Sequence, residues 1–427
     1  MTDIFTQEIK DLLKLATTDF NKFYKETKKQ NKSSGNYSKA ASSGDGSKAA
    51  SSGDYSTAAS SGDYSTAASS GYGSKAASSG YGSKAASSGN YSTAASSGNY
   101  SKAASSGDGS KAASSGDYST AASSGDYSKA ASSGDYSTAA SSGYGSTAAS
   151  SGNYSKAASS GDGSKAASSG DGSKAASSGN YSTAASSGNY SKAASSGDGS
   201  KAASSGDGSK AASSGNYSTA ASSGNYSKAA SSGVNSACSA LGYMACVKGD
   251  IGNLLMCSEF DESGKPLGGK ADVVDGVKIK PDTWYSVLDG KWTDVDLTDG
   301  IFNYVVSVKG NVKKLKNSNG EFSYLVSDDQ GNSAHGKTIK EARDDLAFKL
   351  MSKDVEQFKN MPLKTTKTPT EWAMVYRAIT GACQYGTRQF IEQKGKLKEK
   401  YTLKEILEQT DGAYGSKRFK EVVRGTK

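Results

Sequence analysis

Between residues 33 and 230, small apolar and polar positions recur with a period of nine that never slips. The unit S-S-G-x-x-S-[KT]-A-A appears 22 times, from Ser33 to Ala230. An array without insertions makes each copy one structural unit stacked on the next. Ser, Ser, Gly, Ser, Ala and Ala are invariant, and three positions vary. The two after Gly read Asn-Tyr, Asp-Tyr, Asp-Gly or Tyr-Gly, and the one after the next Ser is Lys or Thr. In S-[KT]-A the small residues flank one variable polar residue. That is the period of two of a strand, with Ser and Ala inward and Lys or Thr toward water. The segments G-D-G, G-N-Y and G-D-Y carry turn chemistry, with Gly free to take φ > 0 and Asx supporting the backbone.

Nine residues are too few to close a coil. The pattern therefore predicts a β-solenoid with two copies, 18 residues, per turn. Eleven coils at about 4.8 Å each make a rod roughly 50 Å long. Its interior would be thin, filled by Ala methyls and Ser hydroxyls, so backbone ladders and Ser–Ser bonds must supply much of the stability. Disorder is the competing reading, because Gly/Ser/Ala-rich chains bury little apolar area against ordering entropy. Strict copy length, strict small positions and turn-type Gly favour the solenoid.

The flanks follow other periods. Residues 3–29 read as an amphipathic helix with Ile9, Leu12, Leu13, Ala16, Phe20 and Tyr24 on one face. Such a helix is expected to cap the first coil, whose open edge would otherwise invite pairing; packing against a partner chain is the other role open to it. After Ala230 the repeat degrades rather than stopping. S-S-G-V-N-S-A-C-S-A-L-G-Y-M-A-C-V-K-G keeps the phase, and Cys238 and Val247, nine apart, take the inward Ala position. NLLMCSEF, KADVVDGVKI and TWYSVLDGKW then read as strands between Gly/Asp turns. The stretch from Ile301 to Gly331 reads as a hairpin with Asn317–Gly320 as its turn. From Thr338 the pattern becomes helical: Thr338 and Glu341 form a capping box before EARDDLAFKLM. Helices are expected over TEWAMVYRAITGACQYGTRQFIEQ, TLKEILEQ and SKRFKEVV. The predicted fold is mainly β: an N-terminal helical cap (1–32), a nonapeptide-repeat solenoid (33–248), a small β-domain with a hairpin (249–336) and a helical C-terminal domain (337–427).

Composition narrows the function classes. The repeat holds no Leu, Ile, Val, Met, Phe or Trp, and 16 of the 25 Tyr are its only bulky side chains. A conventional core can form only from the flanks. The net charge of +9 is spread along the chain, the repeats carrying 14 Lys against 11 Asp. That distribution lacks the dense basic run of a nucleic-acid arm and argues against nucleic acid as partner. The four Cys (Cys238, Cys246, Cys257, Cys383) form no C-x-x-C, and one His leaves no zinc pattern. His335, beside Gly336 and Lys337, reads as a capping-turn residue, since its G-K-T lacks the spacer and leading glycine of a phosphate loop. No catalytic constellation, metal site or cofactor site is legible. The N-terminus has no signal-peptide pattern and no 18-residue apolar run exists, so the expectation is a protein of the host cytoplasm or the virion, outside the membrane.

The 18-residue register places candidate binding residues in columns. Tyr100, Tyr118, Tyr136 and Tyr154 should stack. Lys156, Lys174, Lys192, Lys210 and Lys228 should form a basic stripe, with Asp171 and Asp207 nearby, for phosphate or another acidic surface. The structural alternative is that charged edges keep a regular sheet from aggregating. Calcium-binding nonapeptides need an Asp in every copy, and here half the copies have one, which argues against calcium. Ice binding wants an unbroken Thr array, yet Lys holds 14 of 22 positions.

Two stretches carry a resemblance. S-S-G-V-N-S-A-C-S-A-L-G-Y-M-A-C-V-K-G followed by VDGVKIKPDTWYSVLDGKW, with A-H-G-K-T-I-K-E-A and ITGACQYGTRQF in the tail, resembles uncharacterised phage and gut-bacterial proteins with nonapeptide arrays before a small β-domain. That family brings no function and no site residues. The G-x-x-S-x-A unit is more distantly similar to the β-roll heads of trimeric autotransporter adhesins, which implies a β-roll fold and the possibility of a homo-trimer. The reading that follows is a non-enzymatic structural or interaction protein, phage- or prophage-encoded. Its solenoid would space or present a region, residues 234–427, that binds a protein partner. Two others stay open: a C-terminal domain that sequesters a small molecule or is an enzyme, using His335, Arg388 or Tyr385 with carboxylates, and a polyanion- or glycan-binding solenoid face.

Overall fold

The computed structural model describes residues 32–425, apart from 262, 299–300, 354, 383–390, 392–397 and 414. The helix expected over residues 3–29, and Tyr385 and Arg388, lie outside the described residues. The chain divides into two units, Met1–Val295 and Asp296–Lys427; the division falls inside the stretch 249–336.

The first unit is a β-solenoid of about 12 turns. Each copy contributes one five-residue strand, [KT]-A-A-S-S, from Lys39–Ser43 to Lys228–Ser232. Each strand pairs in parallel with the strand two copies away, residue i against i + 18: Thr120 with Thr138, Ala121 with Ala139, Ser123 with Ser141. Alternate copies therefore build two separate parallel sheets, and two copies close one turn. Disorder is excluded as the reading of this tract, and the two-per-turn register is the one expected.

Along each strand the pleat sends Ser, Ala and Ser inward: Ser119, Ala121 and Ser123 are at most 2% exposed. The buried hydroxyls bond one another across the interior. Ser119 Oγ lies 2.9 Å from Ser132 Oγ and donates to the Ser133 carbonyl at 3.2 Å, while Ser132 Oγ donates to the Ser119 carbonyl at 3.3 Å. The pairing recurs from Ser47–Ser60 to Ser209–Ser222, so the buried hydroxyls there are satisfied; in the last copy Ala240 stands where the partner of Ser227 would be, and the Ser227 hydroxyl is left without one.

The corner fixes the invariant Gly. Gly125 has φ +115°, and a Cβ there would sit 2.4 Å from the Gly107 carbonyl oxygen one turn earlier. Both the backbone region and the close stacking of turn on turn forbid a side chain. The Asx residue that follows has its own task. Asn99 Oδ1 accepts from the Asp117 amide (3.0 Å), Asp117 Oδ1 from Asp135 (3.1 Å) and Asp135 Oδ1 from Asn153 (2.8 Å). Only the oxygen is needed, which is why Asp and Asn interchange.

The inward column widens at the C-terminal end. Cys238 pairs with Ala220 and then with Leu255, and Val247 pairs with Ala229, all fully buried. Cys238 and Val247 thus occupy the inward Ala position, as their spacing predicts. The parallel order then ends. Strand Cys246–Gly249 pairs antiparallel with Tyr285–Leu288, and Leu254–Phe260 pairs antiparallel with Pro266–Val273. Val274, Ile279, Tyr285 and Val287, with Trp292 against them, complete this core. KADVVDGVKI is strand only to Val273; beyond it, Asp275 Oδ1 accepts the amides of Val277, Lys278 and Ile279 in a turn.

In the second unit, Asn303–Lys309, Val312–Lys316, Phe322–Ser327 and Ser333–Gly336 form an antiparallel meander, longer than the single hairpin expected. Asn317 Oδ1 accepts the amides of Asn319 and Glu321 in the anticipated turn. Helix Ile339–Lys353 packs on the meander through Ala342 and Leu346. Thr338 Oγ1 accepts from the Glu341 amide, but the Glu341 carboxylate accepts from the Lys337 amide, one residue before the expected box partner. Helix Pro369–Thr380 ends at left-handed Gly381 (φ 73°), inside the expected helical stretch; most of the rest of that stretch, to Gln393, lies outside the described residues. Helices Leu403–Gln409 and Ser416–Arg424 match their expectation.

Candidate functional site

The turn residue after Asx faces the strictest backbone demand in the repeat. Thirteen copies place Tyr there with φ between 55° and 62°, and nine place Gly with φ between 62° and 67°. Every copy therefore needs the left-handed region, which costs a Tyr on the order of 1 kcal/mol and Gly nothing. The sequence carried the signal: one position accepts only Gly or Tyr. In the degraded copies Asn235 and Met244 keep the same conformation (φ 56° and 54°).

Held in this way, each ring leans over the equivalent residue of the next turn. The Tyr154 ring lies over Gly172 and the Tyr190 ring over Gly208, where a Cβ would meet ring carbon at 2.8 Å. Where the next turn also offers Tyr, the rings stack. Tyr100, Tyr118, Tyr136 and Tyr154 form one ladder with centroids 5.0, 5.0 and 5.1 Å apart and interplanar angles of 4°, 3° and 12°. The predicted Tyr column is thus assembled. Tyr-Gly copies add edge-on contacts instead, as in Tyr127–Tyr144 at 5.6 Å. Tyr190, with Gly on both neighbouring turns, keeps 72% of its surface, against 49% for Tyr118 within the ladder.

The structure also assembles the Lys column. Lys156, Lys174, Lys192, Lys210 and Lys228 are consecutive partners in one parallel sheet. Strand spacing sets the five Lys backbones about 4.8 Å apart along the sheet. Lys156 is exposed and the other four are half-buried. Burial, and then the neighbouring Lys228 charge, lower the pKa of Lys210. On the other sheet the same position alternates more freely, and Lys75, Lys165 and Lys201 each lie between two Thr. Asp171 and Asp207, near the stripe, spend one oxygen each on the ladder, accepting from Asn189 and Asn225.

The remaining candidates are less convergent. A shallow open trough of about 1770 Å³ runs along the second sheet, lined by Ala and Ser of successive copies; no charged side chain points into one place there. Cys238, Cys246 and Cys257 are free and buried. Burial pushes their thiols up to about 11, 12 and 11, so they are poor nucleophiles. Among the described residues no group of three or more His, Cys, Asp or Glu is placed to hold a metal ion. His335 lies in strand Ser333–Gly336 opposite Leu325, not in the capping turn. Gly336 is required beside it, because a Cβ would sit 2.3 Å from the Ala342 amide nitrogen. Among the described residues no helix is long and apolar enough to cross a membrane.

No family model, curated protein or solved structure matches this chain.

Proposed function

We propose that this is a non-enzymatic structural protein, in which a rigid solenoid carries a protein-binding region supplied by residues 234–427. The observation that carries the reading is the register. Residue i meets i + 18 without a shift from Lys39 to Leu241, and the last turns grow into a larger apolar core instead of fraying. A tract so regular has one length and one stiffness, the properties of a spacer. A phage or prophage origin, implied by the resemblance of its C-terminal strings, fits such a role.

The test is to shorten the chain by whole turns. Removing 36 residues, four copies, should shorten the solenoid by about 9.6 Å while the fold and the captured partner stay the same. Scattering and cross-linking of both lengths read the two outcomes. If the shortened chain folds but no longer retains the partner of the full chain, the spacer reading fails.

A further inference from the structure

We propose that the outward face of the second sheet, from strand Lys39–Ser43 to strand Ala237–Leu241, is the contact surface of a homodimer. In it two solenoids lie face to face with their axes parallel and running in the same sense. This goes beyond the spacer role and does not depend on it.

The two sheets are built from one repeat, yet only one of them is open. On the first, the outward Ala122, Ala140 and Ala158 are buried; on the second, the corresponding Ala113, Ala131 and Ala149 are exposed. The Ser two residues further on, such as Ser115 and Ser133, is exposed as well. These small side chains floor the trough that runs along the sheet to Leu241. Lys or Thr lines one edge of the face, and the Asx of the following turn lines the other. The floor extends for about 55 Å over a width of about 13 Å, on the order of 700 Å² for each copy. A standard interface takes about 800 Å² from each partner, so a second copy fits in area.

The two edges identify the occupant. On the second sheet a strand that begins with Lys leads to Asp in five cases of six, Lys111 to Asp117 and Lys129 to Asp135 among them. A strand that begins with Thr leads to Asn in four of five, as Thr93 does to Asn99. The exceptions are Lys75, which leads to Tyr81, and Thr57, which leads to Asp63. The first sheet follows no such rule: Lys84, Lys174 and Lys210 lead to Asn, and Thr120 leads to Asp. The matched residues stand at opposite edges of one face, more than about 13 Å apart, beyond the reach of a Lys side chain. Among the described residues Lys111, Lys129 and Lys165 form no ion pair. Asp117 and Asp135 each give one oxygen to the amide of the next turn and keep the second. A match that one chain cannot use is usable between two. A two-fold axis parallel to the solenoid axis turns one sheet over onto the other, each strand on its own equivalent. The Lys edge of each copy then meets the Asx edge of its partner: Lys faces Asp, Thr faces Asn, and Ala rests on Ser across the floor. Opposed axes would set Lys on Lys, and a shift of one turn would set Lys111 and Lys165 on Asn. Charge matching of this kind selects the partner and fixes the register.

The experiment uses the full chain and reads its dimer dissociation constant by sedimentation at low salt. Lys111→Glu/Lys129→Glu/Lys165→Glu sets like charges against each other along both edges and should raise that constant more than about hundredfold. Lys48→Glu/Lys102→Glu/Lys156→Glu makes the same charge change on the first sheet and should raise it less than about threefold. Lys111→Thr/Lys129→Thr/Lys165→Thr and Asp117→Asn/Asp135→Asn/Asp171→Asn remove the same pairs from opposite edges. Both use residues that stand at these positions in other copies, so both should fold, and each should cost about tenfold. Combined, they should still cost about tenfold and not a hundredfold, because Thr then faces Asn. Differently tagged copies carrying Ala77→Cys and Ser79→Cys should cross-link to each other, and copies carrying Ala77→Cys and Ala203→Cys should not. Four results would each overturn the proposal: a native chain that is monomeric at about 100 µM, equal losses in the two Glu variants, losses of the Thr and Asn variants that multiply, or cross-linking of position 77 to position 203, which belongs to opposed axes.

Discussion

In the repeat, the three inward residues of a copy are Ser, Ala and Ser, and a turn encloses only six such side chains. In the second unit, Trp372, Val375, Ile379, Leu403, Phe419 and Val423 fill one cluster, all of them buried. The first interior has almost no apolar volume, so it is held by in-register amides, by hydroxyl pairs such as Ser119–Ser132, and by Gly-on-Gly stacking. The second is held by burial of large side chains, each worth about 1.5–3 kcal/mol. The same sequence difference sets what each region tolerates. One core can lose little and admit nothing; the other can lose a great deal.

The largest expected effect breaks the volume-dependent side. Trp372 is 2% exposed and its indole N–H donates to the Tyr401 carbonyl at 2.8 Å. Trp372→Ala should cost about 3–5 kcal/mol, measured by denaturant unfolding followed at helical wavelengths. A loss below 1 kcal/mol would mean that this cluster does not hold the unit together. In the solenoid the corresponding break comes from addition. Gly125→Ala places a methyl against the Gly107 carbonyl in a backbone region Ala avoids, and should cost about 3 kcal/mol. Ala121→Val, between Ala103 and Ala139 in the same column, should cost about 1–3 kcal/mol by overpacking. If both were neutral, the thin interior would be wrong.

The C-terminal turns of the first unit, where Val247 and Leu255 continue the inward Ala column, are expected to respond to alkali. The thiols of Cys238, Cys246 and Cys257 are raised by burial from 9.0 to about 11, 12 and 11. A folded pKa raised above the unfolded value leaves stability intact below about pH 9 and removes it as pH climbs toward the folded values. The loss is on the order of 1.4 kcal/mol per thiol per pH unit in that window. Unfolding midpoints taken from pH 8 to 10.5 should fall, and Cys246→Ala should make the fall shallower. A slope that Cys246→Ala leaves unchanged would assign the alkaline loss elsewhere.

Much of this contrast could be read in the chain. The period of nine, the inward Ser and Ala, the two-copy turn and the Tyr and Lys columns all follow from a pattern whose every copy agrees. Cys238 and Val247 could be placed because they keep the phase. Less legible were features that depend on contacts between turns. The Asx ladder joins Asn99 to Asp117 across 18 residues, so Asp could be argued against as a calcium ligand but not assigned its task. The meander around Phe322–Ser327 and the position of His335 depend on strand pairing that short apolar runs do not specify. The end of helix Pro369–Thr380 was marked by Gly381, but an apolar pattern running past it concealed the stop.

The smallest expected effect separates stacking from strain in the Tyr columns. Tyr118 and Tyr190 share the left-handed backbone, at φ 57° each, so replacing either by Gly relieves a similar strain. Their neighbours differ. Tyr118 stacks on Tyr100 and Tyr136, both at 5.0 Å, and aromatic pairs contribute about 0.5–1.5 kcal/mol each. Tyr190 has Gly172 and Gly208 on the adjacent turns. Tyr118→Gly should therefore be neutral or destabilising by up to about 1 kcal/mol, since two stacks outweigh the strain released. Tyr190→Gly should be stabilising by up to about 1 kcal/mol. The opposite signs, read as midpoint shifts in the same denaturant, are the result that matters. If Tyr190→Gly destabilised the solenoid as much as Tyr118→Gly, the isolated tyrosines would be structural parts of the turn, and stacking would not be what separates the two positions.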